Sequence, residues 1–240
     1  MFDRTFDLDL LGFSIVPDLL NSEEVSNLLA ALSEIKSSAS VHKRSSVYAV
    51  RNLLDAAPAV AALASSQKVM SLAQAALGPG AIPVRATLFD KTVDANWLVP
   101  WHQDVTICVK KRVESEGYGP WTVKSGIHHV QAPESVLENM LAIRIHLDDT
   151  HASNGALRVL PATHRCGRLS DEQIELDQEN ITPVTCSISR GGALLMKPLL
   201  LHASSASSKP SHRRVIHIDF AACQLPAGMH WLTETETPIA

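Results

Sequence analysis

Hydrophobic positions in the first third of the chain recur at helical spacing. Val25, Leu28, Leu29, Leu32 and Ile35 fall at i, i+3, i+4, i+7 and i+10, and Asn21 with Glu24 has capping-box spacing, which predicts a helix over 21–37. Val69, Leu72, Ala73 and Ala76 form a second apolar stripe over 66–77, stopped by Gly78-Pro79-Gly80. Residues 12–16 read as a short strand ahead of both. From residue 82 the period drops to two. The runs 84–89, 101–109, 140–147, 156–160, 184–188, 193–196, 199–203 and 215–221 are apolar or β-branched and punctuated by Gly, Pro, Asn or Asp, which predicts about eight strands. This order implies a mainly β fold with flanking helices. It suits a double-stranded β-helix, the jelly-roll or cupin-like barrel, under an N-terminal helical layer. The expected organisation is one domain over 1–240, with the helical layer at about 1–80 and the barrel at about 81–222. Segment 110–138 has no clear period and reads as a long insertion, either a functional loop or an ordered surface insertion packed on the N-terminal helices.

The same periodicity sorts the polar residues. Ala142, Arg144, His146 and Asp148 share one face, opposite Leu141, Ile143, Ile145 and Leu147, and such a polar face inside a barrel would line a cavity. Three His-x-Asp pairs stand in the chain: His102 with Asp104, His146 with Asp148, and His217 with Asp219. On a strand, side chains two apart project from one face and can grip one cation. Two His and one carboxylate, with open positions left over, is a non-haem iron set, so a distant second His is needed. His202 is the best candidate. It follows Leu199-Leu200-Leu201, and Arg213 comes eleven residues later at the head of the next strand, bringing a guanidinium suited to a carboxylate into the same cavity. The pair His217/Asp219 has one His downstream, His230, and no Arg, so it reads as a strand-interior coincidence. At this level the other two pairs both remain open.

Composition restricts the partners. Lys plus Arg number 21 against 25 Asp plus Glu, a formal charge of −4, so no single-sign surplus points to nucleic acid or an anionic membrane. Hydrophobic residues at 45% and charged residues at 19% are globular proportions. A small-molecule substrate is expected, with no nucleic acid and no membrane partner, and nothing separates monomer from homodimer. Cys108, Cys166, Cys186 and Cys223 contain no CxxC pair and read as buried thiols in a reducing compartment. The acidic start lacks the pattern of a signal peptide, and Lys197 and Pro198 interrupt the longest apolar stretch. A soluble cytoplasmic protein is expected. Histidine, 11 of 240 residues, is the one surplus.

Three blocks resemble the phytanoyl-CoA dioxygenase-like branch of the Fe(II) and 2-oxoglutarate dependent oxygenases. They are Trp101-His102-Gln103-Asp104; Leu147-Asp148-Asp149 leading through Asn154-Gly155-Ala156-Leu157 to His164-Arg165; and Gly191-Gly192-Ala193 through His202 to Arg213-Arg214. They occur in the family's order and cover roughly residues 95–221. The resemblance implies Fe(II), 2-oxoglutarate and O2 as metal and cosubstrates, and hydroxylation of a small metabolite with release of succinate and carbon dioxide. It implies His102, Asp104 and His202 as metal ligands and makes the Leu-Asp-Asp block structural. Family spacing selects Arg213 as the 2-oxoglutarate anchor, with Arg214 on the opposite face. Related halogenases replace the carboxylate with a small residue, so Asp104 implies oxygen insertion.

Secondary candidates follow. Arg144 and His146 would hold anionic groups of cosubstrate or substrate, and His217 and Asp219 would support the site by hydrogen bonding. Trp121, Lys124 and His128-His129 would suit a lid formed by 110–138 that closes over substrate. The rival readings are a Zn²⁺-dependent hydrolase using the same three ligands and a non-catalytic metal- or ligand-binding barrel.

Overall fold

A computed structural model describes residues 4–35, 41–44, 47–94, 96–208 and 212–234. The N-terminal part runs through α1 (Arg4–Leu11), β1 (Phe13–Val16), α2 (Ser22–Ser33), a hairpin of β2 (Val41–Arg44) and β3 (Val47–Val50), then α3 (Leu53–Ala56), α4 (Pro58–Ala64) and α5 (Gln67–Leu77). α2 opens on the predicted capping box: Glu24 N–H donates to Asn21 Oδ1 at 2.9 Å and Asn21 N–H to Glu24 Oε2 at 2.8 Å. It ends at Ser33, and residues 36–37 of the predicted helix lie outside the described residues. Gly78, at φ +89°, ends α5. The sequence reading missed α3 and α4 because short Ala-rich helices carry little periodic signal. α4 starts on Pro58, where a missing N–H leaves no bond unmade.

The remainder contains β4 (Ile82–Lys91), β5 (Val99–His102), β6 (Thr106–Val109), β7 (Trp121–Lys124), β8 (Ile127–Gln131), α6 (Glu134–Leu137), β9 (Met140–His146), β10 (Leu157–Val159), α7 (Asp171–Asn180), β11 (Val184–Thr185), β12 (Ala193–Met196), β13 (His202–Ser204) and β14 (Arg213–Ala221). All named strand pairs are antiparallel. The large sheet has the order β1-β12-β9-β14-β4-β3-β2, the smaller barrel sheet β11-β10-β13-β5, and a third sheet β6-β8-β7. The fold is mostly antiparallel β with a few flanking helices, as the patterning predicts.

The large sheet is covered on both sides, so every residue of β9 is buried. On its outer face Leu141, Ile143, Ile145, Ile216, Ile218, Leu88 and Leu195 pack against Val25, Leu28, Leu53, Val60, Val69 and Ala73 of the helical layer. This apolar layer fixes the register, because a one-residue slip would turn the polar inner face into the helices. Inward from the same strands point Arg85, Phe89 and Lys91 of β4, Arg144 of β9, and Arg213 and His217 of β14, which line one cavity against the smaller sheet.

Several expectations need correction. The predicted strand 101–109 is two strands with a break over 103–105, where Asp104 N–H donates to Pro198 O at 2.9 Å and leaves the ladder. Of the run 199–203, only the part from His202 is strand; Leu199–Leu201 are buried but irregular, with Leu200 N–H turned to Lys197 O. Segment 110–138 is not a structureless loop: it holds β7, β8 and α6. Ser125 and Gly126, at φ +54° and +76°, make the two-residue turn between β7 and β8. Nor are all four thiols buried. Cys108 and Cys186 are, whereas Cys166 is exposed and Cys223 half-buried.

Candidate active site

His102 ends β5 and His202 begins β13, and the two are direct cross-strand partners. Their ring centroids are 4.2 Å apart. Asp104 lies beyond the end of β5, so strand alternation is not what places it beside His102. Gln103 causes the placement. Its buried side chain donates from Nε2 to Gly167 O at 2.8 Å and Leu199 O at 2.7 Å, and its Oε1 accepts from Leu169 N at 2.9 Å. With Gln103 stapled on one side, Asp104 turns to the other, its carboxylate oxygens 3.8 Å from His102 Nε2 and 3.6 Å from His202 Nε2.

One donor atom from each of the three residues lies within 4.8 Å of the others. The carboxylate distances exceed hydrogen-bond length and leave room for a small cation. Both rings are fixed from behind. His102 Nδ1 is 2.9 Å from Pro100 O and His202 Nδ1 2.8 Å from Leu200 O. A carbonyl can only accept, so each Nδ1 carries the proton and each Nε2 presents a lone pair to the site. Burial pushes the His202 pKa down to about 4, so it stays an uncharged ligand at neutral pH. Burial by itself would raise the Asp104 carboxyl, but His202, His217, His102 and Arg85 outweigh it and keep it ionised. The donor set therefore fits a divalent cation such as Fe²⁺ in number and in protonation state.

The other two His-x-Asp pairs are engaged elsewhere. Asp148 faces Arg214 in a two-pronged pair, Nε to Oδ2 at 2.8 Å and Nη2 to Oδ1 at 2.7 Å, and also accepts from Arg214 N–H. His146 is buried with Nδ1 2.7 Å from Thr150 Oγ1. His217 Nε2 is 2.8 Å from Asp219 Oδ1, and Arg85 lies 2.7 Å from Asp219 Oδ2.

The three ligand candidates open onto a cavity of about 150 Å³. Arg213 is buried there, with Nη1 donating to Gly155 O and Nε without a partner among the described residues. Lys91, its cross-strand partner, donates to Ser205 O at 2.6 Å and Ser204 Oγ at 3.1 Å, and lies 5.5 Å from the centre of the Trp97 ring. Burial, with the nearby guanidinium groups, pushes Lys91 down to about 7; burial, with Arg144, pushes Arg213 down to about 10. A bound dianion would relieve both. Gly155 sits at φ +77°, and a Cβ there would come within 2.5 Å of Ser205 O, so the Asn154-Gly155 block is the turn that holds Arg213 and Lys91 in place.

The sequence reading missed Lys91, Trp97 and Gln103. Arg85, Thr87, Phe89 and Lys91 alternate along β4 as Arg144 and His146 do along β9, and that polar stripe was the available signal for Lys91. Not every sequence candidate reaches the cavity. Arg144 lines it, whereas His146, Trp121, Lys124 and His128 are not among its wall residues. Trp121 packs against the cluster of Ile107, Val109, Val130 and Trp231, Lys124 is exposed, and His128 shares the Val130 face of β8.

The phytanoyl-CoA dioxygenase family matches residues 8–215 of the chain. None of the curated proteins matches. Among solved structures, AviO1 from Streptomyces viridochromogenes Tue57 is 22% identical over 95% of this chain and 97% of its own, with a TM-score of 0.68. EctD from S. alaskensis, solved with 2-oxoglutarate and 5-hydroxyectoine, is 18% identical over 92% of this chain and 76% of its own, with a TM-score of 0.70. HygX from Streptomyces hygroscopicus, with nickel and 2-oxoglutarate bound, is 15% identical over 92% and 87%, with a TM-score of 0.68. These likenesses show a shared fold.

Proposed function

The chain belongs to the phytanoyl-CoA dioxygenase family and is a Fe(II)- and 2-oxoglutarate-dependent oxygenase, and from that premise we propose that it acts on a small molecule and which residues do the work. His102 and His202 bind Fe(II) through Nε2 and Asp104 through its carboxylate. Arg213 holds the distal carboxylate of 2-oxoglutarate, with Lys91 beside it. The observation that carries this reading is the convergence of three metal-ready donors on a cavity whose far wall holds an Arg with an unpartnered buried Nε.

With both bound, the iron and the 2-oxo acid supply the oxidising chemistry, in which O2 is consumed and succinate and carbon dioxide are released. The protein's part is placement. Pro100 O and Leu200 O hold the two imidazoles in the donor tautomer, and Gln103 holds Asp104 at the turn. Gly155 O fixes one edge of Arg213 and leaves the other for a carboxylate, which a guanidinium binds in two-pronged fashion. The large sheet, backed by the helices on its outer face, forms the inner wall that carries Arg213 and Lys91. A hydrolytic zinc site would have no use for this anchor.

We further read residues 1–240 as one domain, since the helical layer packs against the outer face of the sheet whose inner face carries the site. Among the described residues no helix is long and apolar enough to cross a membrane. A cytoplasmic location is our inference, supported by four free thiols. The test is a screen for succinate release over metabolite pools with Fe(II), 2-oxoglutarate and O2. Substrate-dependent succinate that disappears in His202→Ala supports the assignment; succinate persisting in that variant refutes it.

A further inference from the structure

Resting on the oxygenase reading above, we propose that Arg144 receives an anionic group, a carboxylate or a phosphate, carried by the molecule that is oxidised. Among the described residues four Arg and Lys side chains line the cavity. Arg85 is answered by Asp219, 2.7 Å away. Lys91 and Arg213 face each other at the Gly155 end, where 2-oxoglutarate is held. Arg144 enters from the neighbouring strand, opposite His217 in the β9–β14 ladder; His217 and Arg213 are four residues, about 13 Å of backbone, apart along β14, although the charges of Arg144 and Arg213 still repel each other across the cavity.

Among the described residues Arg144 has no counter-charge of its own. Its Nη1 donates to His217 Nδ1 at 2.7 Å, and its guanidinium lies 5.7 Å from the centre of the Phe89 ring. Neither is an anion. The residue is 8% exposed, and its Nε is buried without a partner among the described residues. Among the described residues Asp104 is the one carboxylate on the cavity wall, and it belongs to the proposed metal set. A buried guanidinium left this way is held in wait for an oxyanion.

Its direction is also fixed. A guanidinium only donates, so His217 Nδ1 accepts, and the ring proton sits on Nε2, donated to Asp219 Oδ1 at 2.8 Å. Asp219 is in turn held by Arg85. This chain locks one Arg144 nitrogen and leaves the Nε edge for a ligand. The two carboxylates of 2-oxoglutarate are assigned to the metal and to the Arg213 end, so the anion that completes Arg144 comes with the substrate.

The test is calorimetry on the full chain loaded with Ni(II) and saturating 2-oxoglutarate. The probes are acetate, benzoate and inorganic phosphate, each set against an uncharged counterpart, acetamide, benzamide or glycerol. At least one anion should bind and its neutral partner should not; which anion binds distinguishes carboxylate from phosphate. Arg144→Gln should weaken that anion by about 10- to 100-fold, the loss of a charge-assisted pair, while 2-oxoglutarate affinity stays within about twofold. The proposal is overturned if no anion binds, if neutral probes bind as well, if Arg144→Gln binds the anion unchanged, or if it loses 2-oxoglutarate as Arg213→Gln does. The wild-type comparison stands even should the variant misfold. Failure to bind Ni(II) and 2-oxoglutarate at all would instead sink the oxygenase assignment.

Discussion

His102 stands directly across the β5–β13 ladder from His202, although one hundred residues separate them in the chain. Cross-strand partners lie closer than any other pair of residues on neighbouring strands, so the register sets the distance between two candidate ligands. What the register does not set is the third ligand, because Asp104 lies past the end of β5. That role falls to the residue between them.

Gln103→Leu should therefore be more damaging than a change beside a metal ligand ordinarily is. It removes three hydrogen bonds, one to the buried Leu199 O and two to the part-buried Gly167 O and Leu169 N–H. The expected loss is about 2–4 kcal/mol in urea unfolding of the metal-free protein, together with weaker Fe(II) binding. Unchanged stability and unchanged metal affinity would show that Asp104 is placed by something else.

The neighbours Arg213 and Arg214 should separate cleanly. Arg213→Gln is expected to weaken 2-oxoglutarate by about 10- to 100-fold with little effect on the unfolding midpoint. Arg214→Gln should leave 2-oxoglutarate binding alone and destabilise by about 1–2 kcal/mol, through loss of the half-buried two-pronged pair with Asp148. Calorimetric titration and urea unfolding of both variants make the comparison; the reverse ranking would move the anchor to Arg214.

Lys91 gives the cosubstrate site a pH signature. Its pKa in the empty cavity is pushed down to about 7, below the ordinary lysine value. A carboxylate placed beside it favours the charged form and raises the pKa, so at pH 8 binding of 2-oxoglutarate should take up a proton. Titrations in buffers of different ionisation heat should show this uptake, and Lys91→Met should abolish it. For the empty protein the sign is the same as for any buried base. Between pH 7 and about 10.5 the unfolded chain binds more protons at this site than the folded one, so its contribution to stability rises with pH across that window and is lost as pH falls through it. Proton release on binding, or uptake that survives Lys91→Met, would contradict the assignment.

Much of this was legible from residues alone, for identifiable reasons. The shift from helical to alternating period at residue 82 marks the passage from helical layer to barrel, since both periods report the face each element buries. The alternation of Leu141, Ile143 and Ile145 with Arg144 and His146 showed a strand buried on both sides around a polar interior. What alternation could not tell was which of the two remaining His-x-Asp pairs meets a second His. That depends on the pairing of Asp148 with Arg214, 66 residues away, which engages one of the two carboxylates elsewhere. The hairpin Trp121–Gln131 escaped notice because Ser125-Gly126 is a weak turn signal and His128-His129 interrupts the apolar pattern. Lys91 escaped because a lysine at the end of a strand ordinarily faces solvent.

The central claim is that His102, Asp104 and His202 hold the iron to which 2-oxoglutarate is delivered. Anaerobic addition of Fe(II) and 2-oxoglutarate tests it most directly, because a 2-oxo acid chelated to Fe(II) gives a visible metal-to-ligand charge-transfer band. The wild-type protein should develop that band, and His102→Ala combined with Asp104→Ala should lose it while keeping the circular dichroism of the folded chain. Absence of the band in the wild type, or its persistence in the double variant, would contradict the account.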